Sequence, residues 1–282
     1  MFSYRHGFHA GNHADVLKHL VLVQLLAHMR AKEKAFTMVD THAGAGCYSL
    51  DEGSYASKTA EFATGIERLW GKGGLPAALS DYLRQIEAVN PDGILKRYPG
   101  SPQIAIQMMR SQDRLRLFEL HPSEGPVLAD YFHADAKRVS VRRADGFDGL
   151  KSVLPPPSRR ALVLIDPSYE DKADYDRVVR MMQDALRRFA TGVYAVWYPQ
   201  VRRRESARLP AQLQRLAGGN WLHASLTVST PPADGFGLFG SGVFVFNPPW
   251  QLKACLREAM PVLKTLLAGD QHATFRLEGE TP

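Results

Sequence analysis

The sequence predicts an α/β fold: a seven-stranded mixed sheet with helices on both faces and a small helical insertion. Three observations predict it. Short, nearly continuous apolar runs recur along the chain, as strands buried on both faces require. The first five are separated by enough residues for helical crossovers, the connection that parallel strands need. The first run leads straight into a glycine-rich turn, the arrangement at which α/β sheets hold nucleotide-like ligands.

Taken in order, apolar residues at Val16, Leu20, Val23 and Ala27, widened by Leu17, Leu22 and Leu26, predict a helix over Ala14–Arg30. Ala35–Asp40 reads as a buried strand running into Thr41-His42-Ala43-Gly44-Ala45-Gly46. About seventy residues then precede the next strand, far more than a strand-to-helix loop uses. Helical spacing over Thr59–Trp70 and Pro76–Val89 makes residues 51–98 an inserted helical subdomain within a single domain spanning 1–282. The helix that packs on the sheet starts after Pro99, with Ser101 as its N-cap and Pro102 as its first residue. Further strands are predicted at Arg114–Leu120, Val139–Asp145, Ala161–Asp166, Val193–Tyr198, Leu222–Ser229 and Gly242–Phe246. The last two are joined through Thr230–Gly240, which has prolines and glycines but no helical spacing. That connection predicts a hairpin and one antiparallel strand. The polar tail beyond Gly269 is expected to be loosely held.

Composition narrows the function classes. Of the 282 residues, 45% are hydrophobic and 23% charged, the balance of a soluble globular protein. Thirty-five basic against 29 acidic residues give a net charge of +6, which favours a polyanionic partner through counterion release. Two cysteines, Cys47 and Cys255, cannot form a disulfide framework and point to a cytoplasmic location. The first residues lack the apolar core of a signal peptide. The apolar stretch Leu20–Met29 is broken by Gln24 and His28 and is too short to span a bilayer.

The chemistry concentrates at strand ends. Gly44 and Gly46 let backbone approach a ligand closely, although a plain tight turn would use the same residues. Ser49 stands where a dinucleotide fingerprint has its third glycine, which counts against a nicotinamide cofactor. Glu119 ends the second strand, where an acid accepts bonds from ribose hydroxyls; a solvated carboxylate is the competing reading. Asp145-Gly146 ends the third, where a carboxylate reaches an adenine amino group, although Asp-Gly is also a common turn. The fourth strand ends Asp166-Pro167-Ser168-Tyr169. This resembles the Asp/Asn-Pro-Pro-Tyr/Phe motif of amino-group methyltransferases. An exocyclic amine is a poor nucleophile because its lone pair is delocalised into the ring. A carboxylate (Asp166) and a backbone carbonyl (Pro167) accepting its two N–H bonds localise that lone pair, while Tyr169 stacks on the extruded base. Ser168 replaces the motif's second proline, so the loop loses a locked φ.

Asn247-Pro248-Pro249-Trp250 fits the same pattern better but follows the seventh strand, away from the glycine turn; it reads as a proline-capped strand end. His6, His9, His13, His19 and His28 crowd the N-terminus, but no cysteine or acidic ligand set accompanies them, so no metal site is expected. Tyr4, Arg5, Phe8 and Lys18 interleave aromatic and basic character, suiting either contact with nucleic acid or a solvated arm. Arg159-Arg160 and Arg202-Arg203-Arg204 are basic runs compatible with RNA contact or with a solvated face.

These motifs, in this order, resemble the RlmJ family of 23S rRNA adenine N6-methyltransferases. The resemblance covers most of the chain. It rests on Ser3-Tyr4-Arg5-His6 through Gly11-Asn12-His13-Ala14-Asp15-Val16-Leu17-Lys18-His19, on Asp40 to Gly46, and on Tyr98-Pro99-Gly100-Ser101-Pro102. Glu119-Leu120-His121-Pro122, Ala144-Asp145-Gly146-Phe147 and the Asp166 motif complete it. It implies a class I (Rossmann-like) methyltransferase that uses S-adenosyl-L-methionine. Cofactor binding falls to His19, His42, Ser101, Glu119, Asp145 and Gly146, joined by Gly44 and Asp166. Asp166 acts on the amine as proton acceptor, and Tyr4 contacts substrate together with Lys18 and Tyr169. The implied partner is 23S ribosomal RNA, with a monomeric enzyme, no membrane and no obligate protein partner. Transfer is expected to be direct, without metal or covalent enzyme intermediate. Two rivals stay open: a DNA amino-methyltransferase, and an RNA-binding protein with a degenerate cofactor pocket.

Overall fold

Residues 5–232 and 237–280 are described by the computed structural model. Helix α1 (His13–Arg30) starts at Asn12, whose side-chain oxygen accepts the N–H groups of Ala14 and Asp15. Leucines and valines bury it on nearly every side, the signature of an interior helix. Strand β1 (Thr37–Asp40) is buried throughout and feeds the glycine turn, which ends in β2 (Cys47–Ser49). The chain then makes its long excursion through α2 (Tyr55–Thr59), two 3₁₀ turns (Glu61–Thr64 and Ile66–Arg68), α3 (Ala77–Glu87) and β3 (Arg97–Pro99).

Two expectations are corrected here. Thr59–Trp70 is not one helix. Ala60, in the left-handed region at φ 52°, ends α2, and Gly65 lies so close to the N-terminal segment that a Cβ would come within 2.0 Å of the Gly11 carbonyl oxygen. The excursion is also not purely helical, because β3 returns to pair antiparallel with β2; three-residue strands are too short to show a period in sequence.

Helix α4 (Ser101–Met108) takes Gly100, not Ser101, as its N-cap. The Ser101 hydroxyl is turned away from the helix end and donates to Asp40 Oδ2 at 2.6 Å. There follow β4 (Arg114–Phe118), α5 (Glu124–Tyr131), β5 (Val139–Arg142), the single turn α6 (Gly146–Gly149), β6 (Ala161–Ile165), α7 (Ala173–Arg188), β7 (Val193–Gln200), α8 (Arg204–Ala217), β8 (Trp221–Thr227), β9 (Gly240–Phe246), α9 (Leu252–Leu267) and β10 (Thr274–Glu280).

The main sheet runs β10-β8-β9-β7-β6-β1-β4-β5, eight strands and not seven. The eighth is the tail expected to be loose. Thr274–Glu280 pairs along its whole length with β8, and its burial alternates strictly between exposed and half-buried. An edge strand with one wet face carries few apolar residues, here Phe275 and Leu277, so its polarity hides it. The expected hairpin joins β8 to β9. Two strands run against the rest, not one: β9 is antiparallel to both β7 and β8, and β10 to β8.

Alternation along the central strands builds both layers. Met38, Leu162 and Leu164 face α1, α4 and α9; Val39, Val163 and Ile165 face α7 and α8. Because both faces are covered, β6 is apolar at every position. Among the described residues, no helix is long and apolar enough to cross a membrane.

Candidate active site

Strand order sets the place of the site. From β1 the chain crosses to β4 and β5 on one side, while β6 and β7 lie on the other, so the carboxyl end of β1 is a topological switch point. Register aligns the ends: Asp40 is level with Leu117 of β4 and Leu164 of β6. Two residues further on, His42, Glu119 and Asp166 emerge together on one edge. They line a single cavity of about 270 Å³, which Gly44, Asp145 and Gly146 also line.

On one side of this cavity the backbone is held close and open. Gly44 sits at φ 63°, and a Cβ there would meet the Tyr48 hydroxyl at 2.1 Å. A Cβ on Gly146 would fall 1.8 Å from the Thr41 carbonyl oxygen. Glu119 is fixed by two backbone donors, Gly44 N–H to Oε2 and His121 N–H to Oε1, each at 2.7 Å. Burial pushes its carboxyl up, and those donors oppose the shift. Each oxygen keeps a second lone pair for a ligand hydroxyl. Asp145 caps α6 by accepting the Phe147 N–H at 2.9 Å and is ion-paired with Arg177, whose guanidinium lies 4.0 Å from the centroid of the Phe147 ring.

The two histidines are neutral at pH 7. Burial lowers His42 to about 4 and holds His19 well below the usual imidazole range. His19 Nδ1 is hydrogen-bonded to the Tyr98 hydroxyl at 2.7 Å, which meets the Tyr82 hydroxyl at 3.0 Å. The excursion thus reaches into the site through two buried tyrosines. His19 Nε2 has no partner among the described residues, and His19 lines the cavity. A buried polar atom of this kind is what a polar ligand completes. Glycine cradle, anchored acid and orphaned imidazole together fit an adenosine-type cofactor.

The opposite side carries charge. Lys18 lies between two carboxylates, 2.8 Å from Asp15 Oδ1 and 2.6 Å from Asp166 Oδ2. Burial opposes its charge, but the two acids outweigh burial and hold it protonated beyond the ordinary lysine range. Asp15 also accepts from His6 Nε2 and from Gly11 N–H, both at 2.9 Å. For Asp166, burial pushes the carboxyl up and Lys18 works against that shift. Asp40, beneath them, is pushed up to about 6 by burial despite the Ser101 hydroxyl.

Sequence reasoning and structure agree on place more than on part. His19, His42, Gly44, Ser101, Glu119, Asp145, Gly146, Asp166, Pro167 and Lys18 all reach one cavity. Lys18 differs in its partners: it is buried between acids, not presented to a phosphate. Tyr169 differs in position. Its ring is 2% exposed and packed against Tyr175, and its hydroxyl donates to the Trp197 carbonyl at 2.7 Å. Seated so, it offers no stacking face to the cavity. Tyr4 falls outside the described residues. Asn247 directly follows β9, whose last residue, Phe246, is level with Tyr194 at the amino end of β7, on the opposite sheet edge from Asp166. Its amide donates to the carbonyls of Ala190 and Gly192, both at 2.7 Å. Two of the N-terminal histidines pair with acids: His6 with Asp15, and His9 with Glu61. Among the described residues, no three His, Cys, Asp or Glu side chains are grouped to hold a metal. Asp15, Tyr48 and Arg177 were missed. Asp15 stood three residues before Lys18, a helical ion-pair spacing that could have flagged it.

The family described as "RsmJ: Ribosomal RNA large subunit methyltransferase D, RlmJ" matches residues 33–278. The chain belongs to this family. Two curated proteins named "Ribosomal RNA large subunit methyltransferase J" are similar to it throughout. The one from Escherichia coli K12 is 46% identical over 276 residues, covering 97% of this chain and 98% of that protein. The one from Haemophilus influenzae Rd is 44% identical over 283 residues, covering 100% of each. A crystal structure of a Legionella pneumophila protein superimposes with a TM-score of 0.88 at 35% identity, covering 97% of this chain and 99% of that one. That superposition shows the same mostly parallel α/β architecture over nearly the whole of both chains.

Proposed function

We propose that the chain transfers a methyl group from S-adenosyl-L-methionine to N6 of an adenine in 23S ribosomal RNA. The observation that carries this reading is the shared cavity: Asp166 and Pro167 line the same space as Glu119 and the glycine cradle. Bound there, the cofactor supplies an electrophilic methyl group. The protein's part is to orient and polarise the amine. Asp166 Oδ2 is engaged by Lys18, which leaves Oδ1 to accept one N–H of the amine and later its proton. The Pro167 carbonyl accepts the second N–H. With both bonds directed in this way, the nitrogen lone pair leaves the ring plane. Lys18, held protonated by its two acids, works against the burial that favours the acid form of Asp166. The net charge of +6 matches a polyanionic substrate.

The direct test is incubation of unmodified 23S rRNA and of a DNA of equal sequence with labelled S-adenosylmethionine, followed by nucleoside analysis. N6-methyladenosine in RNA alone is expected; label confined to DNA, or none in either, refutes the reading. Cofactor binding has its own test. Glu119→Gln replaces one acceptor oxygen with an amide that repels the Gly44 or His121 N–H, so the Kd for S-adenosylmethionine by calorimetry should rise about 10- to 100-fold. An unchanged Kd would remove Glu119 from the cofactor site.

A further inference from the structure

The Asp166-Pro167-Ser168-Tyr169 loop must hold its two acceptors still, yet it lacks the second proline that would fix its path. It also ends in an unfavourable conformation: Tyr169 is at φ 54°, in the left-handed region that an aromatic residue seldom adopts. Something else holds it.

The run Arg202-Arg203-Arg204 supplies the holder. Arg202 and Arg204 are exposed, while Arg203 between them is half-buried. Arg203 stands at the N-cap of α8 but makes no side-chain bond to the helix end. Its guanidinium is turned toward the loop instead. Nη1 donates to the Tyr169 carbonyl at 2.7 Å and to the Glu170 carbonyl at 3.3 Å. These carbonyls belong to the strained residue and its successor. The Tyr169 hydroxyl, bonded to the Trp197 carbonyl on β7, ties the same residue down from its other end. The loop leaving β6 is therefore anchored to β7 and to the start of α8.

The geometry points to Arg203 as a positioning residue for the methyl-transfer reaction: a cationic clamp that sets the loop path a proline would otherwise set. It touches no reacting atom. Its effect passes through the backbone of residues 166–170 to the Asp166 carboxylate and the Pro167 carbonyl. This rests on the proposed function of that loop. It also separates Arg203 from the exposed Arg202 and Arg204: the two bonds that hold this loop come from Arg203.

The test compares Arg203→Ala, Arg203→Gln and Arg203→Ala combined with Ser168→Pro, using unmodified 23S rRNA and labelled S-adenosylmethionine. A misplacement of acceptors lowers turnover steeply, so kcat of Arg203→Ala should fall roughly tenfold or more, with the RNA KM and the cofactor Kd nearly unchanged. Glutamine keeps an N–H donor but no charge and should recover part of the turnover. Proline at 168 restores a locked φ and should also recover part of it. A raised RNA KM with kcat retained would instead make Arg203 a phosphate contact, and a loss that neither glutamine nor proline relieves would also overturn the clamp. If Arg203→Ala does not fold, Arg203→Gln decides alone: a lowered kcat at normal RNA KM supports the clamp, and a raised KM or wild-type turnover overturns it. Wild-type protein inert on RNA would refute the proposed function itself; active wild type with an equally active Arg203→Ala would refute only the clamp.

Discussion

Replacing Asp166 with alanine is expected to lower kcat for methyl transfer about a thousandfold, the scale on which loss of one preorganised polar group in a buried site is felt, while S-adenosylmethionine still binds. In the proposed mechanism the carboxylate is the acceptor that redirects the amine lone pair, and Pro167, Ser168 and Tyr169 beside it offer no second carboxylate. The cofactor-side groups, Glu119 and the Gly44 cradle, are anchored to one another and do not depend on Asp166. Asparagine should fare little better. Lys18, 2.6 Å from Oδ2, would claim the amide oxygen and turn the NH₂ group toward the substrate amine, donor against donor. Single-turnover kinetics and calorimetry on both variants check this. Turnover within tenfold of wild type in Asp166→Ala would take the carboxylate out of the mechanism. For the intact enzyme, the acid limb of the kcat profile should lie above the range of an ordinary aspartate, because burial raises Asp166.

Lys18→Met should have the largest effect on stability. The lysine side chain is 4% exposed and lies between Asp15 and Asp166. Asp15 keeps His6 and the Gly11 N–H when the lysine goes, but Asp166 is left as a buried carboxylate beside another. Breaking a buried pair from one side costs about 3–5 kcal/mol. The sign of the pH dependence follows. Without Lys18, the folded-state value of Asp166 rises further above its unfolded value. The penalty is then full at pH values above that raised value and shrinks as pH falls through it and the acid takes up its proton. Chemical denaturation should therefore show Lys18→Met far below wild type at pH 7.5 and closer to it at pH 5. A deficit that stays constant with pH would mean that the loss comes from packing, including the lysine's approach to the Trp197 ring at 5.7 Å.

Much of the fold was legible because parallel strands covered on both faces leave a strong local trace. Ala161–Ile165 could hardly be anything but a buried strand. The site was legible in part for a related reason: in such sheets the ligand-facing residues come just after strand ends, so Glu119, Asp145 and Asp166 could be found by counting. What stayed hidden depended on contacts between distant residues. Lys18 and Asp166 are separated by 148 positions, and nothing near either residue announces the other. Ser101 had the identity and position of a helix cap, but a buried carboxylate on β1 offered its hydroxyl a stronger acceptor. The Tyr169 ring had the right chemistry for stacking on a base, but its hydroxyl found a backbone acceptor on β7. β10 was missed because its outward face is charged and its inward face has only two large apolar residues.

Helix α1 raises a question of order during synthesis. It is made before every surface that covers it: α3 and α4 follow first, then β6, β7 and β9, and last α9, which ends at Leu267. Until β6 is made, the nascent chain carries an apolar cylinder that chiefly α3 and α4 can cover, and its lysine has only Asp15 for company. Folding before the C-terminal strands arrive would leave that cylinder open to neighbouring chains. Helix α1 is thus fully covered only once α9 is made, and Lys18 gains its second carboxylate only with Asp166, just after β6.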